Sequence, residues 1–230
     1  MGFGYGFDYT FIILIPAMLL SAWAQSKVSS TFNEYSRIQA RGNITADAAA
    51  KLLLSLYGMG YMPINHVSGN LTDHYDPTNR TLNLSDSVYG QRSIASIGVA
   101  AHEAGHAIQH EENYSPLIIR NKIVPVVNIA TQASQFLFII GLIVANFMLV
   151  DLGIILFTGS LAFHLITLPV EINASMRALK LLQQTNTLYP DELEGAKKVL
   201  TAAAWTYIAA ALTSVLTLVR LIMIRNSRRR

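Results

Sequence analysis

The chain has 230 residues, of which 52% are hydrophobic and 13% are charged, and its mean hydropathy is +0.36. This composition excludes a mainly disordered chain, because disordered chains are rich in charge and poor in apolar residues. The absence of Cys excludes a disulfide scaffold, Cys-ligated zinc or iron–sulfur sites and a cysteine nucleophile. The net charge of +3 does not predict nucleic-acid binding, because five cations lie in the last eleven residues, where they are typical of a membrane anchor.

Four uncharged windows are each close to the length of about 20 residues that a helix needs to cross a bilayer. They cover residues 9–26, 123–150, 152–170 and 199–219. The residues before the first window include no Lys or Arg, so we expect a retained transmembrane helix rather than a cleaved signal peptide. Asp151 separates the second and third windows, which predicts a tight transmembrane hairpin turning near this residue. The sequence therefore predicts four spans.

A fifth uncharged window, 52–72, contains Gly, Pro and Asn residues whose broken backbone could not stay hydrogen-bonded in lipid, so it belongs to a polar domain. This domain, 27–122, mixes helix and strand patterns. Helices are predicted at Thr45–Gly58 and Ser93–His110, strands at Tyr61–Val67 and Arg80–Ser85, and a turn at Asp73–Asn79. A second polar segment, 171–198, holds a helix whose start is marked near Thr187.

The second predicted helix of the polar domain carries a His-Glu-x-x-His motif, formed by His102, Glu103 and His106. Residues four apart lie on one face of a helix, so both imidazoles can bind one ion and the adjacent Glu can hold a water molecule. Two imidazoles do not complete a catalytic zinc site, which needs a third protein ligand and an open position for water. The candidates for this ligand are His66, His74, His110, His164 and the remaining carboxylates.

Glu171 is the favoured third ligand. It is the only acid between Asp151 and Asp191, and it ends the third apolar window, where it would lie at the membrane surface. Two spans separate the two polar segments, so both lie on one side of the membrane and Glu171 can reach the motif helix. The alternative role is an interfacial carboxylate paired with Arg177 or Lys180, and we favour the ligand role.

Four segments of the sequence together resemble the bacterial membrane-bound neutral zinc metallopeptidases called YugP-like, over nearly the whole chain. These segments are His102–Gln109, Leu71–Pro77, Leu82–Ser85 and Leu168–Ser175. The last segment is also similar to the third-ligand helix of the HtpX-type and CAAX-prenyl endopeptidases. The resemblance implies one Zn²⁺ per chain with a catalytic Glu, and it assigns the zinc ligands to His102, His106 and Glu171 and the catalytic role to Glu103.

Two positions depart from the families that the chain resembles. HtpX-type enzymes carry an acid four residues after the ligand Glu, where this chain has Ser175. YugP-like proteins commonly carry an acid two residues after that Glu, where this chain has Asn173. Because such an acid can orient a ligating His, its replacement predicts weaker zinc binding.

The predicted fold class is a mainly α membrane protein, with about four transmembrane helices and an α+β, zincin-like HExxH domain on one membrane face. The sequence divides into five predicted segments: a first transmembrane helix at 1–26, the catalytic domain at 27–122, a transmembrane hairpin at 123–170, a third-ligand helix and loop at 171–198, and a last transmembrane helix with a basic tail at 199–230.

The predicted function is peptide-bond hydrolysis by a zinc metalloendopeptidase, in which zinc-activated water attacks the peptide carbonyl and Glu103 is the general base. Arg177, Tyr189 and His74 are candidates, unranked, for the donor that stabilises the oxyanion. We also expect the edge of the Arg80–Ser85 strand to pair with an extended substrate.

Two other functions fit parts of the pattern. An intramembrane protease would embed its motif in an apolar span, whereas this motif lies between Arg92 and Glu111 in a polar domain. A membrane scaffold with a structural zinc site would keep its function after Glu103→Gln, whereas a hydrolase would lose activity and keep its zinc.

The expected location is the cell membrane, with several spans. Near the spans, the side that holds the polar segments carries nine Lys and Arg, and the opposite side carries five. Cytoplasmic flanks are usually the richer in Lys and Arg, so we expect the active site to face the cytoplasm. The expected partners are the lipid bilayer and a peptide or protein substrate, including membrane proteins, without nucleic acid.

Overall fold

A computed structural model describes residues 9–229 and confirms a mainly α membrane protein with a small β-sheet. Its elements are α1 Ile15–Tyr35, α2 Ala46–Ser55, β1 Ile64–Val67, β2 His74–Asp76, β3 Thr81–Ser85, α3 Ile94–Glu111, α4 Ser115–Ile143, α5 Phe147–Gln184 and α6 Pro190–Arg229. A 3-10 helix, Tyr9–Leu14, leads into α1. Residues 1–8 of the predicted first segment and Arg230 of the basic tail lie outside the described residues.

The described part of the chain contains four helical stretches that are long and apolar enough to cross a membrane. They are Tyr9–Tyr35, Ser115–Ile143, Phe147–Gln184 and Pro190–Arg228, which confirms the predicted number of spans.

The predicted turn of the transmembrane hairpin is misplaced in the sequence. Residues 144–146 separate α4 from α5, whereas Asp151 lies inside α5. Asn146 sets this boundary, because its side-chain oxygen accepts the backbone N–H of Met148 at 3.0 Å and caps the first turn of α5. Asp151 is instead neutralised by Arg225 of α6, which donates from Nε and Nη2 at 2.8 and 2.9 Å.

The chain divides into two compact units. Within the described residues, the membrane unit comprises 9–23, 120–167 and 206–229, and the second unit comprises 24–119 and 168–205. The five-segment division made from the sequence stays a prediction.

The second unit contains a three-stranded sheet in the order β1-β3-β2, with β1 parallel and β2 antiparallel to β3. The expectation that Asp73–Asn79 is entirely a turn is wrong, because its first half forms β2. The turn begins at Asp76, whose side chain accepts the backbone N–H of Thr78 at 2.8 Å. The expected pairing of substrate with β3 is also wrong, because β3 is the central strand and is bonded on both sides.

Helices α2 and α3 begin where the sequence predicts. Thr45 caps α2 by accepting the N–H of Ala48, and Ser93 caps α3 by accepting the N–H of Ser96. The chain leaves the α2 region at Gly58, which has a positive φ of 73° that favours glycine. Both helices pack their apolar faces into one core with Leu82 and Leu84 of β3.

A close approach brings α3 against α5 in the second unit. Gly105 of α3 lies so near α5 that a Cβ atom at this position would be 2.7 Å from the carbonyl oxygen of Ala174. Real Cβ atoms essentially never come this close to an oxygen, so only glycine permits this spacing of the two helices.

Candidate active site

Helix α3 presents both motif histidines on one face. The rings of His102 and His106 lie 4.7 Å apart between centroids and nearly perpendicular, at 83°. His106 is buried and His102 is partly buried, so both rings are largely shielded from solvent.

Glu171 of α5 completes a cluster with the two histidines. Its Oε2 lies 3.3 Å from Nε2 of His102 and 3.4 Å from Nε2 of His106, and one ligand atom from each residue fits within 4.8 Å. Ligand atoms around a tetrahedral zinc ion, each about 2.0–2.1 Å from it, lie about 3.3–3.4 Å apart. The observed spacing and the His₂Glu donor set therefore fit a zinc ion.

Glu103 lies beside this cluster and is buried. The backbone N–H of Tyr75 in β2 donates to its Oε2 at 2.9 Å, which fixes the orientation of the carboxylate. Burial is the main cause that raises the pKa of Glu103 to about 7; the nearby carboxylates of Glu171 and Asp73 act in the same direction, and His102 and the N–H of Tyr75 oppose them. At neutral pH, Glu103 can therefore both accept and release a proton.

The Nδ1 atoms of both histidines, which are the ring nitrogens that do not face Glu171, contact neutral side chains. Nδ1 of His102 lies 3.1 Å from the hydroxyl of Ser175, and Nδ1 of His106 lies 3.0 Å from Oε1 of Gln109. Asn173 contacts Gln109, which donates to its Oδ1 at 2.9 Å. The two positions that depart from the resembled families thus belong to the surroundings of the candidate ligands.

Sequence reasoning missed Gln109. Its side chain is fully buried, and it lies three residues after His106 on the same face of α3. The available signal was a glutamine on the same face of α3 as the motif histidines, because a buried amide requires hydrogen-bond partners.

Two other candidate histidines make separate contacts, and a third lies outside the second unit. His66 pairs with Asp86 at 2.7 Å and stacks on Tyr89. His110 contacts the hydroxyl of Tyr75 at 2.8 Å, and burial lowers its pKa. His164 lies in the membrane unit.

The three oxyanion candidates differ in how their donors are used. His74 lies 3.0 Å from the carbonyl oxygen of Thr72 through Nδ1, and its Nε2 lies 3.2 Å from the amide nitrogen of Asn83. A carbonyl oxygen only accepts and an amide nitrogen only donates, so neutral His74 has no N–H left for an oxyanion.

The other two candidates are held by charged neighbours. Arg177 donates to Asn173 at 2.7 Å and pairs with Glu112. Tyr189 lies under the guanidinium of Arg41, whose carbon is 4.3 Å from the ring centroid. The roles of Arg177 and Tyr189 in oxyanion stabilisation stay predictions, and that of His74 stays a prediction for its protonated ring alone.

The fold and the site define a class: a membrane protein with an HExxH helix whose motif histidines converge with a Glu on a second helix. Comparison with known proteins narrows this class. The family described as "putative neutral zinc metallopeptidase" matches residues 10–226, and the chain belongs to it. The chain is also 48% identical to the "putative membrane protease YugP" of Bacillus subtilis (strain 168) over 215 residues, which cover 93% of this chain and 96% of the relative. No solved structure shows a significant match.

The raised pKa of Glu103 predicts a pH-dependent stability of the metal-free protein. The pKa is about 7 in the fold against an ordinary 4.5, so the folded state binds more protons between these values and the free energy of unfolding falls as the pH rises from 4.5 to 7. Glu103→Gln removes this loss, so the variant should match the wild type near pH 4.5 and become more stable above pH 7, by up to about 3 kcal/mol.

Thermal unfolding in detergent and chelator, from pH 4.5 to 8, measures this difference. The exposed Glu34→Gln controls for the loss of a carboxylate from the surface. If the difference in stability between Glu103→Gln and wild type does not change with pH, the raised pKa of Glu103 is contradicted.

Proposed function

We propose that this chain is a membrane-embedded zinc metalloendopeptidase, with one zinc ion per chain held by His102, His106 and Glu171. The observation that carries the proposal is the convergence of these three side chains to within 4.8 Å in the second unit. Two His and one Glu are a donor set of catalytic zinc sites, in which the fourth position stays open to water. Membership of a family described as zinc metallopeptidases supports the same assignment.

The buried carboxylates give a further electrostatic argument for a cation. Glu171 and Glu103 are 4% and 9% exposed, and both lie near the two histidines. Buried carboxylates in proteins are paired or coordinate metals, because an isolated buried charge is costly. A divalent ion at the cluster would offset the cost of holding both carboxylates there.

The proposed chemistry divides between the metal and Glu103. Zinc at this site would supply a Lewis acid that polarises the peptide carbonyl and lowers the pKa of water to about 7. Glu103 accepts a proton from the attacking water and returns it to the departing amine. The N–H of Tyr75 holds the carboxylate in one orientation for both transfers.

We propose that the substrates are peptides or proteins and that membrane proteins are among them. This rests on location, since four apolar helices tether the candidate site to a membrane. We also propose that the protein resides in the cell membrane with the candidate site facing the cytoplasm, as the excess of Lys and Arg flanking the spans on that side indicates.

The base role predicts that Glu103→Gln lowers the rate of peptide hydrolysis by at least about 10²-fold, because general-base catalysis contributes about 10²–10⁴-fold. The variant should retain the zinc content of the wild type, because Glu103 is not one of the proposed ligands. Purified wild type and variant are compared for metal content and for cleavage of an unstructured protein. Glu111→Gln, at the exposed end of α3, is the matched control and should keep full activity.

Three results would contradict this proposal. Wild-type protein purified without chelator that contains no zinc would exclude the metal site. Full hydrolytic activity in Glu103→Gln with zinc retained would exclude the base role, and wild-type protein that holds zinc but cleaves no peptide bond would favour the scaffold with a structural zinc.

The proposed sidedness predicts which introduced cysteines an impermeant maleimide can reach, and the chain has no Cys of its own. Tyr61→Cys lies at a position 75% exposed in the second unit and should react only after cells are permeabilised. Ser227→Cys, exposed near the end of α6, should react in intact cells. The opposite labelling pattern would place the candidate site outside the cytoplasm.

A further inference from the structure

A chain of hydrogen bonds joins α5 to His106. Arg177 fixes which group donates and which accepts at one end of this chain. Guanidinium groups only donate hydrogen bonds. Nε of Arg177 donates to Oδ1 of Asn173 at 2.7 Å, and Glu112 pairs with the same guanidinium at the end of α3. The side-chain oxygen of Asn173, and not its NH₂ group, therefore faces Arg177 and Gln109.

Gln109 is the next member, and two acceptors fix its orientation. Its Nε2 donates to Oδ1 of Asn173 at 2.9 Å and to the backbone carbonyl of Val170 at 2.8 Å. A carbonyl oxygen only accepts, so the NH₂ group of Gln109 must point at α5 and both of its hydrogens are used. Its Oε1 consequently points away from α5 and towards His106.

The orientation of Gln109 determines which ring nitrogen of His106 carries the proton. Oε1 of Gln109 lies 3.0 Å from Nδ1 of His106 and can only accept, so Nδ1 must carry the proton. The opposite nitrogen, Nε2, lies 3.4 Å from Glu171 and keeps its lone pair in the neutral ring, as a metal ligand requires. Gln109 is fully buried and His106 is 7% exposed, which excludes easy exchange of these partners for water.

We propose that Gln109 is a positioning residue, which holds the proton of His106 on Nδ1 and so leaves Nε2 to the ion. Gln109 also ties α3 to the two α5 residues that flank Glu171, since Val170 precedes the ligand and Asn173 follows it by two positions. Asn173 takes part in this arrangement through its oxygen. The proposal rests on the proposed function only in naming zinc as the ion.

The two histidines differ in this respect. The partner of His102 is the hydroxyl of Ser175, which can donate or accept, so this contact does not select a tautomer. The selection through an amide with a fixed orientation is specific to His106.

Zinc affinity tests the proposal in folded protein. Gln109→Leu keeps a buried side chain of similar size but removes every polar contact, so the zinc dissociation constant should rise about 10–100-fold, the usual cost of losing a partner that orients a metal ligand. Gln183→Leu, at an exposed position of α5, is the matched control and should bind zinc as the wild type does. A folded Gln109→Leu with wild-type affinity would overturn the proposal.

A pair of substitutions at Asn173 distinguishes the loss of a hydrogen-bond acceptor from a change in side-chain packing. Asn173→Asp keeps an acceptor for Gln109 and Arg177, so its zinc dissociation constant should be no more than about threefold above that of the wild type. Asn173→Leu removes this acceptor, so its zinc dissociation constant should be at least about tenfold higher. Thermal unfolding of the metal-free variants shows whether affinity merely follows stability. Equal losses of affinity in the two variants would overturn the proposal, and this pair decides the test if Gln109→Leu does not fold.

Nuclear magnetic resonance of the metal-free protein tests the position of the His106 proton without zinc. With ¹⁵N-labelled histidine, the His106 signals are those absent from His106→Asn. The proposal predicts a protonated Nδ1 in the wild type, with a slowly exchanging hydrogen that exchanges rapidly in Gln109→Leu. An unprotonated Nδ1 would overturn the proposal, and wild-type protein that fails to bind zinc but shows this protonated Nδ1 would overturn the metal site alone.

Discussion

The candidate site depends on the close approach of α3 and α5 at Gly105. A Cβ atom at that position would be 2.7 Å from the carbonyl oxygen of Ala174, so the absence of a side chain sets the distance between the helices. Glu171 lies one turn before Ala174 along α5, and His102 and His106 flank Gly105 along α3. The backbone contact thereby places the carboxylate of Glu171 3.3 and 3.4 Å from the two imidazoles.

The site around this contact is buried, which gives it its electrostatic character. Burial raises the pKa of Glu103 to about 7, while the N–H of Tyr75 and the nearby His102 favour the ionised form. The result is a carboxyl group balanced between its two protonation states at neutral pH. Gln109, Asn173 and Ser175 add hydrogen bonds around the histidines without adding a further negative charge.

Local signals in the sequence predicted much of this structure. The N-caps Thr45 and Ser93 mark the starts of α2 and α3, and the four apolar windows mark the candidate spans. The motif spacing predicted that His102 and His106 share a face, and Glu171 was singled out as the only acid in a long stretch. These features are readable because each depends on residues close together in the chain.

The missed features depend on residues distant in sequence. Asp151 was taken for a turn because its partner, Arg225, is 74 residues away. β3 is central because β1 pairs with one of its edges and β2 with the other, and the residues of β3 alone do not show these pairings. Gln109 was missed because its partners Val170 and Asn173 lie more than 60 residues further along the chain.

The zinc dissociation constant of Gly105→Ala tests the central claim most directly. The added methyl group must push α3 and α5 apart, so we expect folded Gly105→Ala to bind zinc at least about tenfold more weakly than the wild type. Gly159→Ala is the control, because a Cβ atom there would meet no atom within 4 Å, and its affinity should be unchanged. A folded Gly105→Ala protein with wild-type zinc affinity would contradict the account.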